Sequence, residues 1–508
     1  MTSNSDEFEQ IFPAATHAFA GPIPTQNVAS EEYLPAPQTS RQRRVEFRLQ
    51  ELGDQLAKKL GLSRRRFFQT ASGMAAAWVV MNEVYGNLFA VDPAEANTPE
   101  LAAARADALK DQFIMDMHTH HLHEPLAQDI FDLLLANRTK IREAGWDPII
   151  PEGPGRNSDL LYDNYVKEIF LDSDTKVALI TSAPADNSAD YFLSDGQMND
   201  DRARTNTAAG SRRLLSHFIL KAGQAGFLDQ IDHAIEVVRP DSWKGYTIGD
   251  PLVAMRTGHI SKYPWRLDDE RVAYPIFERI ARSSIRNVCI HKGLFPLAAE
   301  QRFPELRRFA DVSDVGKAAK DWPQLNFIIY HAGYRHAGGG TVTEGMAELM
   351  RTGRLSWVSD LADIPEHYGV SNVYADIGTS FAETIVAEPH LAALMMGILI
   401  KGLGADHVVW GTDALWTGSP QWQIEGLRRL EIPEPLRKQF GLAPLGAADG
   451  PVKTAIFGDN SARLYNYQRH AELDRPDKLD AVKAEYERLG SARSNLRYGF
   501  VSRFLGPR

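Results

Sequence analysis

From Leu101 onward, short apolar segments alternate with longer stretches of helical periodicity. Strands that alternate with helices form a parallel sheet, because a parallel crossover needs a connection about as long as a helix. Eight apolar segments are present, at residues 112–121, 175–182, 216–221, 243–248, 287–293, 326–333, 372–378 and 407–413. Eight such units predict an α/β fold of the (β/α)₈ TIM barrel type.

The first apolar segment ends in a cluster of imidazoles, His118, His120 and His121. Side chains two residues apart lie on the same face of a β-strand, so His118 and His120 can reach a single ion. A surface patch of histidines, or histidines hydrogen-bonded in a core, would give the same pattern. This segment alone therefore leaves the metal interpretation open.

Three later strands also end in residues that can bind a metal. His291 ends the fifth strand, His331 the sixth and Asp413 the eighth. The carboxyl ends of all strands in a parallel barrel surround one mouth, where active sites are built. A buried His or Asp costs free energy unless it is paired. The sequence therefore favours one shared site over four independent core or capping residues.

Composition limits the classes of partner. The net charge is -10, and no long basic run occurs outside the N-terminal region. For such a chain we expect a small-molecule substrate and no nucleic acid partner. The single cysteine, Cys289, excludes an intrachain disulfide and a Cys-rich zinc site.

The N-terminal region differs from the rest. Residues 1–62 are polar, proline-spotted and charged, which predicts a disordered leader. The sequence Ser-Arg-Arg-Arg-Phe-Phe at 63–68 precedes an uncharged stretch of small and apolar residues at 73–81. This arrangement resembles a twin-arginine export signal. We expect residues 63–98 to be a signal segment recognised by the twin-arginine export machinery, with a new N-terminus between Ala90 and Thr98.

The expected product of that processing is periplasmic. An amphipathic surface helix with a basic start is the alternative interpretation, and it would leave the protein in the cytoplasm.

Five motifs together resemble the amidohydrolase superfamily. They are most similar to its amidohydrolase-related branch, which includes aminocarboxymuconate-semialdehyde-type and hydroxybenzoate-type decarboxylases. The motifs are Asp116-Met-His118-Thr-His120, Cys-Ile-His291, Tyr-His331-Ala-Gly, Trp-Gly-Thr-Asp413 and Phe457-Gly-Asp-Asn460-Ser-Ala-Arg463-Leu. Their order covers about residues 111–468. The expected barrel domain spans 101–470, followed by a helical C-terminal tail at 471–508 that could form an oligomer contact.

The resemblance implies one divalent metal, held by His118, His120, His291 and Asp413. Zinc suits these donors best, with Mn²⁺ or Fe²⁺ as alternatives. It also implies that His331 lies over the metal-bound water instead of acting as a firm ligand. Lys244 lies at the start of its predicted strand, so the lysine that bridges two metals in other branches is not expected here.

The chemistry of these residues agrees with the resemblance. A bound cation lowers the pKa of a water molecule to about 7. Asp413 can accept the proton of that water, while His331 orients it or polarises a substrate oxygen. Arg335 and His336, which follow the sixth strand, are candidates for binding a substrate carboxylate. Solvated loop residues are the alternative reading of that pair.

Three functions remain open. Metal-bound hydroxide attacking an ester, lactone or amide carbonyl is favoured, since a periplasmic enzyme would act on scavenged compounds. Metal-dependent non-oxidative decarboxylation of an unsaturated or aromatic acid uses the same ligands, so their spacing does not separate the two reactions. A non-catalytic ligand-binding barrel is disfavoured because the full set of ligands and acid–base groups is present.

Overall fold

The structure is a computed structural model that describes residues 21–25, 38–124, 160–187, 191–251, 253, 257–295, 297–336, 341–473, 476–491, 497–498 and 501–502. Its central sheet has eight parallel strands in chain order. They are β1 Met115–Thr119, β2 Val177–Ile180, β3 Leu214–Ile219, β4 Ser242–Tyr246, β5 Asn287–His291, β6 Asn326–Tyr330, β7 Val373–Asp376 and β8 Val408–Val409.

Backbone hydrogen bonds between the first strand and the residues after the eighth close the sheet. Met117 N–H donates to Trp410 O at 3.0 Å, and Asp413 N–H donates to His118 O at 2.8 Å. Thr119 also forms a parallel bridge with Ala414. The predicted TIM barrel is therefore confirmed. The sequence also predicts a helix over residues 125–144, which lies outside the described residues.

Among the described residues, the helices that precede the barrel are α1 Ser40–Lys59, α2 Arg64–Phe68, α3 Ala71–Tyr85, α4 Pro93–Asn97 and α5 Pro99–Leu109. Helices also lie between the strands: α6 Tyr162–Val166, α7 Asp195–Ala209, α8 Phe227–His233, α9 Tyr274–Arg282, α10 Leu297–Arg302, α11 Arg307–Ala310, α12 Val315–Asp321, α13 Thr341–Thr352, α14 Val358–Ala362, α15 Ile364–Tyr368, α16 Gly378–Ala387 and α17 Pro389–Leu403. The chain ends with α18 Gln421–Arg429, α19 Glu434–Phe440, α20 Pro451–Thr454, α21 Asn460–Leu464, α22 Arg469–Leu473, α23 Lys478–Arg488 and the short strands β9 Arg497–Tyr498 and β10 Val501–Ser502.

The prediction that residues 1–62 are disordered was wrong for residues 40–59, which form α1. The helix begins with a capping box, in which Gln42 N–H donates to Thr39 Oγ1 and Thr39 N–H donates to Gln42 Oε1. Val45, Leu49 and Leu56 are buried on one helical face. The charged residues between them hide this periodicity in the sequence. Residues 1–20 and 26–37 lie outside the described part.

The C-terminal motif closes the barrel from the end opposite the mouth. Asn460 Nδ2 donates to the carbonyl oxygen of Val408, the first residue of β8, at 2.8 Å. Tyr465 OH donates to Ser242 Oγ at 3.1 Å and lies 3.5 Å from Cys289 Sγ. Cys289 is fully buried at this point, as a packed core residue.

Within the described residues, no helix has the length and apolar character needed to cross a bilayer.

Candidate metal centre

Three side chains converge where the barrel closes. His118 and His120 follow one another at the end of β1, and Asp413 lies just beyond β8. Asp413 Oδ1 is 3.2 Å from His118 Nε2 and 3.0 Å from His120 Nε2. All three residues are at most 1% exposed. The backbone bond from Asp413 to His118 fixes the two strand ends next to each other.

The three facing atoms have the chemistry of a cation site. Among the described residues, no group forms a hydrogen bond of suitable geometry with His118 Nε2, His120 Nε2 or Asp413 Oδ1. Ligand atoms of a tetrahedral zinc lie about 2.0–2.1 Å from the ion and therefore about 3.3 Å from one another. The observed separations are close to that value. Buried lone pairs that converge in this way fit a divalent cation, which would satisfy all three together.

Asp376 orients the first of these imidazoles. His118 Nδ1–H donates to Asp376 Oδ1 at 3.0 Å, which leaves the Nε2 lone pair directed toward Asp413. Asp376 ends β7 and is fully buried. A carboxylate behind a metal-binding histidine fixes both its tautomer and its ring orientation. Asp376 also accepts from the backbone N–H of His331 at 3.4 Å.

His331 and His291 form the adjoining part of the cluster. His331 Nδ1 accepts from Thr379 N–H at 3.3 Å, so its proton lies on Nε2, which is 3.2 Å from His291 Nδ1. Two triads have ligand atoms within 4.8 Å of one another among the described residues: His118, His120 and Asp413, and His118, His331 and Asp376. His291 belongs to neither triad and contacts the cluster through His331. Three of the four predicted ligands therefore converge directly.

Thr379 and Thr412 hold the carboxylates in place. Thr379 Oγ1 donates to Asp413 Oδ2, the carboxylate oxygen other than the one that lies against the two histidines. Asp116, two residues before His118 in β1, accepts from Thr412 N–H at 3.0 Å and from Thr412 Oγ1 at 2.5 Å. These bonds tie β1 to the segment that carries Asp413. Asp116 therefore has a supporting position in this structure.

Two glycines allow this close packing. A Cβ atom on Gly411 would lie 1.9 Å from Asp376 Oδ2, and one on Gly378 would lie 2.8 Å from His331 Nδ1. His331 and Asp413 themselves adopt left-handed backbone angles, with φ of +57° and +60°. Non-glycine residues rarely adopt this conformation, and where they do they cluster at functional sites.

Burial favours the neutral form of the imidazoles. It lowers the pKa values of His118, His120, His291 and His331 below their usual range. Burial also raises the pKa of Asp376, and it raises the pKa of Asp116 to about 7. Neutral imidazoles keep their lone pairs available, which a metal ligand requires. A bound cation would favour the ionised carboxylate.

The position predicted for Lys244 was wrong. The strand begins at Ser242, so Lys244 lies at its centre and is fully buried. Its Nζ lies 3.5 Å from the centre of the Tyr330 ring, and that ring is 4.0 Å from the ring of His118. In the strand register Lys244 is opposite Cys289, whereas His291 is opposite Tyr246. The backbone of Lys244 therefore lies two residues before the level of His291 in the sheet, and its ammonium group lies over the Tyr330 ring.

Arg335 and His336 are engaged by acidic side chains. Arg335 forms an ion pair with Glu300, and its guanidinium lies over the Trp357 ring at 5.5 Å. His336 Nε2 is 2.7 Å from Glu348 Oε2. Among the described residues, neither side chain forms a hydrogen bond or ion pair with the histidine cluster. Their predicted role in binding a substrate carboxylate has no support from these contacts.

Sequence reasoning missed Asp376, Thr379 and the supporting position of Asp116. Asp376 carried the same signal as the other site residues, since it is a carboxylate at the end of an apolar strand. Asp116 lies within the first motif. Thr379 gave no signal, because a threonine in the first turn of a helix is common.

Comparison with known proteins gave a family and a set of similar folds. The amidohydrolase family model matches residues 115–467. No curated protein matches the sequence. Among solved structures, the chain is similar to 5-carboxyvanillate decarboxylase from Sphingomonas paucimobilis, with 14% identity, coverage of 70% of this chain and 99% of that one, and a TM-score of 0.40.

Two further structures gave comparable values. The 2,6-dihydroxybenzoate decarboxylase from Rhizobium has 13% identity, coverage of 70% and 99%, and a TM-score of 0.39. The 4-oxalomesaconate hydratase from Rhodopseudomonas palustris has 16% identity, coverage of 74% and 100%, and a TM-score of 0.38. At these values the likeness carries no information on the substrate or reaction of this chain.

Proposed function

The chain belongs to the amidohydrolase family, and from this premise we propose that it is a metal-dependent hydrolase acting on an ester, lactone or amide carbonyl. The observation that supports this most is the convergence of His118 Nε2, His120 Nε2 and Asp413 Oδ1 at 3.0–3.2 Å. These buried atoms fit one divalent cation. Zinc suits the two imidazoles and one carboxylate best, and Mn²⁺ or Fe²⁺ are the alternatives.

The cation, when bound, supplies a Lewis acid and lowers the pKa of a water molecule. His118, His120 and Asp413 would hold it, with His291 completing the set if its ring turns from His331. Asp376 keeps His118 in the required tautomer through the bond to Nδ1. The glycines beside these residues keep the cluster compact.

Asp413 provides the proton acceptor. Its Oδ1 lies against the two imidazoles and its Oδ2 accepts a hydrogen bond from Thr379, so Oδ2 is the oxygen that remains for proton transfer. We assign Asp413 Oδ2 to accept a proton from the attacking water and to return it to the departing alcohol or amine. Thr379 holds the carboxylate in position for both transfers.

His331 provides a hydrogen-bond donor. Its Nδ1 accepts from Thr379 N–H, which leaves Nε2–H as its only donor. We assign this N–H to the substrate carbonyl oxygen, where negative charge develops during attack. His291 Nδ1 holds the same N–H at 3.2 Å in the structure.

Decarboxylation of an unsaturated or aromatic acid is the alternative. Its support from the sequence was Arg335 as a clamp for the substrate carboxylate. Glu300 pairs with that guanidinium, and the role of Arg335 as a clamp stays a prediction. We place hydrolysis first because a metal-activated water and the acceptor Asp413 are the groups that it needs. A ligand-binding barrel without catalysis would give no role to the proton acceptor Asp413 or to the hydrogen-bond donor His331.

The test is a substrate screen with metal-loaded protein. The purified chain is incubated with panels of lactones, esters, amides and aromatic acids, while proton release and CO₂ are both recorded. We expect acid release from at least one carbonyl substrate, and its loss in Asp413→Asn. Release of CO₂ without hydrolysis would reverse the assignment to decarboxylation.

A further inference from the structure

The segment that resembles an export signal is packed inside the protein. Phe67 and Phe68, which follow the arginines, are at most 2% exposed. In α3, the helix formed by the apolar stretch, Trp78 is fully buried and its ring lies 4.6 Å from that of Phe89. The arginines at 64–66 are exposed at the surface. The apolar part of the motif is therefore core, while its charged part is not.

Specific polar contacts join this segment to the barrel. Tyr85 OH donates to Ala387 O at 3.0 Å, at the end of α16. Phe89 forms an antiparallel bridge with Leu430, flanked by Ala90 N–H to Arg429 O at 2.7 Å and Glu431 N–H to Leu88 O at 2.7 Å. These bonds need defined backbone geometry, which a transient association would not provide.

A buried ion pair adds to these contacts. Arg429 Nη2 lies 2.7 Å from Glu95 Oε2, and its side chain is only 3% exposed. Removing Glu95 would leave Arg429 buried with one carboxylate fewer, and breaking a buried pair is strongly destabilising. Ser72 Oγ also donates to Glu95 O at 3.0 Å, which joins α3 to α4.

The segment contacts the two helices that support Asp413. A Cβ atom on Gly426 of α18 would lie 3.2 Å from Trp78 Cη2 and 3.3 Å from Ile385 Cγ1 of α16. The same α18 carries Gln423, whose Nε2 donates to Thr412 O at 3.1 Å, next to Asp413. Helix α16 carries Thr379, which donates to Asp413. Trp78 thus packs against α18 at the glycine that Ile385 of α16 also approaches.

We propose that residues 40–97 are a permanent structural brace of the barrel, retained in the functional protein and not removed as a signal. Cleavage between Ala90 and Thr98 would remove Trp78, Phe89 and the bridge to Leu430, and would expose the apolar sides of α16 and α18. Folding buries Phe67, Phe68 and α3, so the apolar part of the motif belongs to the core, although the arginines at 64–66 stay exposed. This inference depends on packing alone and not on the proposed reaction.

Intact-mass measurement of the full chain, purified from the organism's own cells, tests retention. We expect a mass that includes residues 40–97. A folded, soluble protein whose N-terminus lies between Ala90 and Thr98 would overturn the proposal.

Variants test the bracing contact separately. Trp78→Ala should lower the melting temperature by about 5 °C or more, since it empties a fully buried site. Leu101→Ala, at a residue that is 48% exposed, is the control and should not change it. If Trp78→Ala gives no folded protein, Tyr85→Phe removes only the hydroxyl bound to Ala387 O and should still lower the melting temperature. Unchanged melting of both variants would overturn the brace.

Discussion

His118 Nδ1 lies 3.0 Å from Asp376 Oδ1, and this hydrogen bond directs the other ring nitrogen, Nε2, toward Asp413. The seventh strand thereby controls a ligand that the first strand supplies. Because the histidine has only two ring nitrogens, a partner on Nδ1 decides what Nε2 can do. The candidate centre thus depends on a residue that would not itself contact the metal.

Asp376→Asn should weaken metal binding by about 10–100-fold, because the amide holds the His118 tautomer less firmly than a carboxylate does. Competition with a chromogenic chelator measures the affinity. Asp163→Asn, at a side chain that is 93% exposed, is the matched control. An affinity equal to that of the parent would mean that Asp376 does not orient the ligand.

Gly411→Ala should also weaken metal binding by about 10–100-fold, although it changes none of the ligands. The added methyl group would lie 1.9 Å from Asp376 Oδ2, so the carboxylate has to move away from His118. Gly196→Ala is the control, since the nearest atom to its Cβ is 3.9 Å away. Full metal affinity in a well-folded Gly411→Ala protein would contradict the close packing described here.

His331→Asn should keep the metal and lose activity by about 10²-fold or more, as expected when a positioned donor is removed. Elemental analysis gives the metal content, and the rate is measured on the best substrate of the screen. His233→Ala, at an exposed histidine of α8, should change neither quantity. Loss of the metal in His331→Asn would instead identify His331 as a ligand.

The metal-free protein should lose stability as the pH falls below 6.5. Burial lowers the pKa values of His118, His291 and His331 in the folded state, so the unfolded chain binds more protons there than the folded chain does. The histidines therefore lower the free energy of unfolding on acidification through this window. Asp116 and Asp376 act in the opposite direction, because burial raises their pKa values and the folded state binds their protons first. The decrease is expected because the histidines are more numerous. Urea unfolding at pH 7.5, 6.5 and 5.5 measures it. The decrease in the free energy of unfolding should be smaller in His331→Asn. A free energy that does not change with pH in the parent would contradict the burial of neutral histidines in this cluster.

The sequence was sufficient to predict the barrel because eight mainly apolar segments alternate with stretches of helical periodicity. Strand ends are less predictable, since they depend on backbone pairing with neighbours. β4 begins at Ser242, so Lys244 faces the barrel interior from the middle of the strand instead of its start. β8 has only two paired residues, and the backbone bond from Asp413 to His118 continues the barrel beyond it.

Part of the candidate site was also predictable. His118, His120 and Asp413 were identifiable because their residue types are costly to bury without a partner. Asp376 carried the same signal and was overlooked. The role of Thr379, the ion pair of Arg335 with Glu300 and the burial of Phe67 depend on contacts between segments far apart in the chain, which a single sequence does not reveal.

The central claim is that one cation is shared by His118, His120 and Asp413. Crystals grown with Mn²⁺ or Zn²⁺ and measured at the absorption edge of the added metal test it most directly. We predict one anomalous peak per chain, about 2.0–2.3 Å from His118 Nε2, His120 Nε2 and Asp413 Oδ1. A well-ordered barrel with no peak at these atoms, or with the metal bound elsewhere, would contradict it.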